Sequence, residues 1–219
     1  GKNRAPQTRL ASAAMIRDIL FKAKEYARKE KAGESQEFRL ELAALSRVFD
    51  GMPVQMAAMK ANDMETAVRI GEEFGLNYVL TMAYDASQVI RDLDRKDLRF
   101  IIGPLYGTSF SVEENGKSLS LGAELEKEGV HAAISTGHPE MNLEILSTQL
   151  ILMTDRGLSR KEAIRGVTAY PAEYMGISSR VGTLEPGKAA DLVIWDGDLL
   201  EYDGGVKRLF IDGEEIALS

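Results

Sequence analysis

The residues able to do chemistry in this 219-residue chain are few and scattered. There are two histidines, His131 and His138, and no cysteine. That excludes a disulfide framework, a thiolate metal site and a cysteine nucleophile. Two imidazoles cannot build a three-imidazole zinc centre from this chain alone. Met59 and Met82 could bind a soft cation such as Cu(I), but methionine more often fills apolar gaps, and Met52, Met56, Met59 and Met64 read together as core. His138 reads either as a histidine hydrogen-bonded within its loop or as an acid–base group. Ser109, Ser111 and Ser118 lie in a segment rich in Gly and Ser, without the surroundings of a nucleophile elbow. Glu113-Glu114 reads as a charged loop rather than a carboxylate pair for acid–base work. Lys60, Tyr84 and Tyr106 fall just past the ends of apolar runs and could line a pocket; Lys60 could bind an anion there or point into solvent.

Secondary-structure elements must position these groups. Residues 8–31 are expected to form an amphipathic helix, with Ala13, Ile16, Leu20, Ala23 and Ala27 at helical spacing and Thr8 as its cap. A second helix is expected over 37–49, with Phe38, Leu42, Leu45 and Phe49 on one face, stopping at Gly51. Apolar runs at 53–58, 78–82, 99–102 and 130–134 then alternate with helical stretches at 63–74, 87–94, 119–127, 143–154 and 160–168. Short buried-type strands alternating with helices mean βα units and a parallel sheet. Four units at a spacing of about 25 residues or slightly more suit half of an eight-unit barrel. The alternative, an open doubly wound sheet, lacks a Gly-rich loop after its first strand. From Arg180 the pattern changes: Pro186-Gly187 marks a turn before a strand, and Asp212-Gly213 follows an apolar run as a hairpin signal.

Composition is that of an ordinary soluble chain, 44% hydrophobic and 28% charged, which disfavours disorder and coiled coil. Acids outnumber bases 34 to 27 and the net charge is -7, so the basic footprint of a nucleic-acid binder is absent. No run approaches the roughly 18 apolar residues of a membrane span, and Gly1-Lys2-Asn3-Arg4 has no apolar signal region behind it. The lack of cysteine fits a reducing compartment, and the expected location is cytoplasmic.

The tail Gly182-Thr183-Leu184-Glu185-Pro186-Gly187-Lys188-Ala189-Ala190-Asp191-Leu192-Val193 resembles the C-terminal signature of the amidohydrolase superfamily, notably its imidazolonepropionase-like branch. Asn3-Arg4-Ala5-Pro6, residues 53–64, Ile102-Gly103-Pro104 and residues 135–140 fall in that family's order. The resemblance implies a (β/α)8 barrel carrying a small β-sandwich made from both chain ends, and hydrolysis of a C–N bond by a metal-activated water. It also implies metal ligands after the first, fifth, sixth and eighth strands. Where relatives read roughly His-Ala-His-Arg-Ala-Asp, this chain has Ala57-Ala58-Met59-Lys60-Ala61-Asn62. The expected Glu-His-Gly context is Thr81-Met82-Ala83, and Ser-Thr-Asp-His-Pro becomes Ser135-Thr136-Gly137-His138-Pro139. Ala57, Met59, Met82 and Gly137 therefore stand at former metal or catalytic positions, and Lys60, Thr81, Tyr84, Tyr106 and His138 are the candidate pocket.

These readings imply an α/β protein with a half (β/α)8 barrel over residues 1–178 and a β segment of a composite sandwich over 179–219. No catalytic residue, metal or cofactor is expected within this chain. The chain reads as a C-terminal half, and its open strand edges call for a partner: an N-terminal half chain, an active paralogue, or a second copy closing the barrel, with neither nucleic acid nor membrane. The leading expectation is an inactive, amidohydrolase-like subunit. The alternatives are a C–N hydrolase whose metal or catalytic groups come from the partner, or with His138 and Lys60 acting without metal, and a small-ligand binder using the vacated barrel mouth.

Overall fold

The computed structural model describes residues 6, 8–107, 111–139 and 141–218. Asn3, Arg4, Ala5, Ser109 and Glu140 lie outside the described residues. Helix α1 (Arg9–Lys31) starts as its sequence directs: Thr8 is extended and its side chain accepts the Ala11 N–H at 3.1 Å. Arg28, Lys29 and Lys31 in its last turn complement the negative end of the helix dipole. The second helix is shorter than expected. Arg39 is extended, so α2 runs only Leu40–Ser46 and tightens into a 3₁₀ turn, Arg47–Asp50. Phe38 consequently falls outside the helix and is 71% exposed, while Leu45, Val48 and Phe49 pack with Ala13 and Leu20 of α1.

The βα alternation then appears as β1 (Val54–Ala57), α3 (Ala61–Phe74), β2 (Tyr78–Thr81), α4 (Ala86–Leu93), β3 (Phe100–Ile102), α5 (Leu121–Lys127) and β4 (Ala132–Ile134). These strands form one parallel sheet in the order β1-β2-β3-β4. Helices α6 (Leu146–Asp155), α7 (Arg160–Val167) and α8 (Ala169–Tyr174) follow. Helix α8 is not among the helices expected from the sequence; its Pro171 occupies the first turn, where the missing N–H costs nothing.

The two faces of the sheet are covered differently. Leu80, Phe100 and Ile102 point to the helices and are fully buried with Met64, Val89, Leu121, Leu125 and Met153. Burial of each such side chain stabilises the fold by about 1.5–3 kcal/mol. The opposite face carries Val79, Ile101 and Ala133, capped by Tyr170 and Tyr174 of α8. Towards β1 that cover stops, and Gln55 and Ala57 are exposed.

Beyond α8, β5 (Leu192–Asp196), β6 (Gly205–Ile211) and β7 (Glu214–Ile216) make a separate antiparallel sheet. Asp212 and Gly213, at φ of 50° and 83°, form the tight turn between β6 and β7, the conformation that makes Asp-Gly a hairpin signal. Cross-strand neighbours Val193, Leu209 and Ile216 share one face of this sheet, and Val193 and Ile216 remain 45% and 39% exposed.

Candidate functional site

The carboxyl ends of the four parallel strands open onto one side of the molecule, the side where βα barrels collect functional groups. Parallel register sets Ala57 beside Thr81, and Thr81 beside Ile101. Met59 and Met82 are partly buried and pack against the main core. Met82 holds φ at 57°, a conformation uncommon for a side chain of its size. Gly137 sits in the loop after β4 at φ 69°, where an added Cβ would lie 2.6 Å from Cδ of Pro104. The two loops are in contact there, with no room for a side chain unless one of them moves.

The pocket residues divide. The Nζ of Lys60 lies 3.6 Å from Oδ2 of Asp85, and the two side chains are 25% and 19% exposed. The same Asp85 oxygen accepts the Ala61 N–H at 3.3 Å, which ties the start of α3 to the loop after β2. Tyr84 is 2% exposed and belongs to the core. The ammonium of Lys117 stands 5.4 Å above its ring, within the range of a cation–π contact. Tyr106 and His138 are exposed. Among the described residues, no group of three or more His, Asp or Glu side chains is gathered as metal ligands would be.

Glu113 and Glu114 are both ion-paired, which accounts for them without acid–base work. The carboxylate of Glu113 accepts two hydrogen bonds of 2.8 Å from Nη2 of Arg9, while Nε of Arg9 donates to Asp63. Glu114 pairs with Lys117, and those side chains are only 12% and 9% exposed. Ser111 donates to Glu114. Ser118 contacts the Ser120 hydroxyl at 2.8 Å, which in turn donates to Glu124. These hydroxyls serve the loop and the start of α5.

Sequence reasoning missed Asp85, Lys117 and Gln149. Gln149 has no exposed surface; its Oε1 accepts the Leu105 N–H at 2.9 Å and its Nε2 donates to the Ser135 carbonyl at 3.1 Å. It thereby joins the loops after β3 and β4. An amide inside the apolar stretch of α6 was the available signal, since a buried polar side chain must have partners. The other histidine lies at the opposite end of the sheet. His131 Nδ1 is 2.7 Å from Glu162 Oε2, which also accepts the Tyr170 hydroxyl at 2.7 Å, and the His131 ring stacks on Tyr170 at 4.9 Å. Tyr174 donates to the His131 carbonyl at 2.9 Å. Burial raises the pKa of both tyrosines above the usual phenol value, and for Tyr170 the contact with Glu162 adds to it.

A four-stranded parallel sheet of βα units, with its strand ends opening on one side, is consistent with part of an α/β barrel. A model of the amidohydrolase family matches residues 22–216, and the chain belongs to that family. It is similar to an imidazolonepropionase of Sphingopyxis alaskensis, 40% identical over 81 residues that make up 35% of this chain and 20% of the relative. An imidazolonepropionase of Maricaulis maris is 29% identical over 149 residues, 67% of this chain and 36% of the relative. Among solved structures, an amidohydrolase from Thermotoga maritima MSB8 superposes with a TM-score of 0.92 at 32% identity, over 99% of this chain and 58% of that one. The α/β fold, with its four-stranded parallel sheet, matches part of a TIM-like barrel. The chain spans less than two thirds of the length of each of these proteins. No described helix is long and apolar enough to cross a membrane.

Proposed function

We propose that this chain is a barrel-building unit of the amidohydrolase family whose strand ends do not assemble a metal centre, and that it acts as a non-catalytic subunit beside a second set of strands. The observation that carries this reading is Gly137. A carboxylate there would need a Cβ, and that atom would lie 2.6 Å from Pro104. The backbone, and not only the residue type, is therefore unsuited to a ligand at that position. Ala57 offers no donor, Met59 and Met82 offer only thioethers packed against the core, and these do not fit the imidazole and carboxylate set of a zinc-type hydrolase.

Open edges support the second half of the proposal. Among the described residues β1 pairs only with β2 and β4 only with β3, and unpaired edges of apolar parallel strands invite further strands. Residues 1–178 would then supply half a barrel, and 179–219 a β segment whose uncovered Val193, Leu209 and Ile216 face would pack in a composite sandwich. A cysteine-free sequence accords with a cytoplasmic setting.

The test is native mass spectrometry of the protein from its own source, together with elemental analysis. A stoichiometric second set of strands without metal supports the proposal. Stoichiometric zinc would overturn it and favour hydrolysis of a C–N bond with ligands supplied from outside this chain.

A further inference from the structure

Residues 111–118 lie between β3 and α5 as a strap that approaches Tyr84 and Asp85 after β2 and, through Glu113, the groove beside β1. None of these eight residues belongs to a hydrophobic core cluster, and Val112 is 77% exposed, although the Glu114 and Lys117 side chains are only 12% and 9% exposed. Two contacts tie it to the rest of the molecule, Glu113 to Arg9 and Lys117 to the Tyr84 ring, and Glu114 pairs with Lys117 within it. The approach at Gly116 is close enough that a Cβ would lie 2.2 Å from Oδ1 of Asp85. The strap thereby lies against Asp85, the ion-pair partner of Lys60.

Arg9 is the informative residue. It opens α1, a 23-residue helix with no acidic residue in its first turn. A cation at a helix N-terminus opposes the dipole, so helix stability does not account for it. Its guanidinium instead joins three elements, since it donates to Asp63 in the first turn of α3 and to Glu113 of the strap. Arg9 and Glu113 are 55% and 47% exposed, and an ion pair that open to water is weak and screened by salt.

We propose that the strap is a gate over the strand-end mouth, latched by Arg9 on Glu113 and opening in preference to the sheet beneath it. Segments without buried apolar contacts open locally at low cost, and opening uncovers Lys60 and Asp85. This gate does not depend on whether the mouth holds a metal or whether the protein is catalytic.

Hydrogen exchange read by mass spectrometry on the full chain tests it, with Glu113→Gln, Arg9→Gln and the double variant, at low and high salt. Either substitution is expected to raise exchange across residues 111–118 by about fivefold and leave the amides of β2 and β3 unchanged. The double variant should add nothing further, and salt should speed exchange of the wild-type strap but not of the variants. Lys60 should become more reactive towards an amine acetylating reagent in step. A strap insensitive to both substitution and salt would overturn the proposal. So would sheet amides that accelerate equally, because opening would then be global. If Arg9→Gln fails to fold, Glu113→Gln and the wild-type salt series decide the matter.

Discussion

Single residues set the chemistry of the mouth, and Gly137 weighs most. At φ 69° an aspartate could adopt the backbone more readily than most residues, but its Cβ would still press on Pro104. Gly137→Asp is expected to destabilise the protein by about 2–4 kcal/mol, read as a lower urea midpoint with an unchanged slope. A cost below about 1 kcal/mol would mean that the loop yields easily, and a ligand at 137 would be reinstated as a possibility. At the other end of the sheet, burial raises the Tyr174 pKa. The folded state therefore keeps a proton that the unfolded chain releases near pH 10. The stabilisation is fully present below that pH and is lost as pH rises towards the folded value. Tyr174→Phe should flatten the alkaline fall in denaturation midpoint. An identical fall in both proteins would locate the alkaline sensitivity elsewhere, with the similarly raised Tyr170 as the next group to replace.

Elements place those residues, and their contacts explain why some roles were legible and others not. Thr8, the alanines of α1 and the alternation of apolar runs with helices carry local signals that survive folding unchanged. Lys60 differs: its neighbour Asp85 is 25 residues away and meets it only because β1 and β2 pair in parallel register. Gln149 is an α6 residue that acts on two other loops. Gln149→Leu keeps the apolar volume but strands the Leu105 N–H and the Ser135 carbonyl. The expected cost is about 2–4 kcal/mol, with the loops after β3 and β4 exchanging faster than the strands. A variant of wild-type stability would show that water replaces the amide.

At the scale of the whole molecule, β1 is an edge of the sheet among the described residues. Val54 and Ala58 donate their N–H groups to the carbonyls of Asn77 and Thr81 along β2. By strand alternation Gln55 and Ala57 then direct theirs to the open side. That side borders a groove of about 940 Å³ between β1, α1 and α3, lined by Ala13, Ile16, Leu20, Met56 and Ile70 with Arg9, Asp63 and Glu113 at its rim. Ala57→Pro removes one outward donor and leaves the ladder to β2 intact, a substitution that edge strands tolerate. If the proposed second set of strands joins at β1, the expected effect is loss of that association at nearly unchanged stability, measured by light scattering after size-exclusion chromatography. Equal association of wild type and variant would show that β1 is not the joint.

What the sequence determined by itself is what depends on neighbours a few residues away: the α/β alternation, the Asp212-Gly213 hairpin, and the residue types at 57, 59, 82 and 137. Chain-local preference and hydrophobic period suffice for these. Only the tertiary structure decided that Tyr84 is core, that Lys60 is paired with Asp85, that α8 caps the inner face of the sheet, and that Gly137 has no space for a side chain. Each of these depends on which distant segments register brings within a few ångströms, and steric room and ionic partners are properties of that assembly rather than of any stretch of chain.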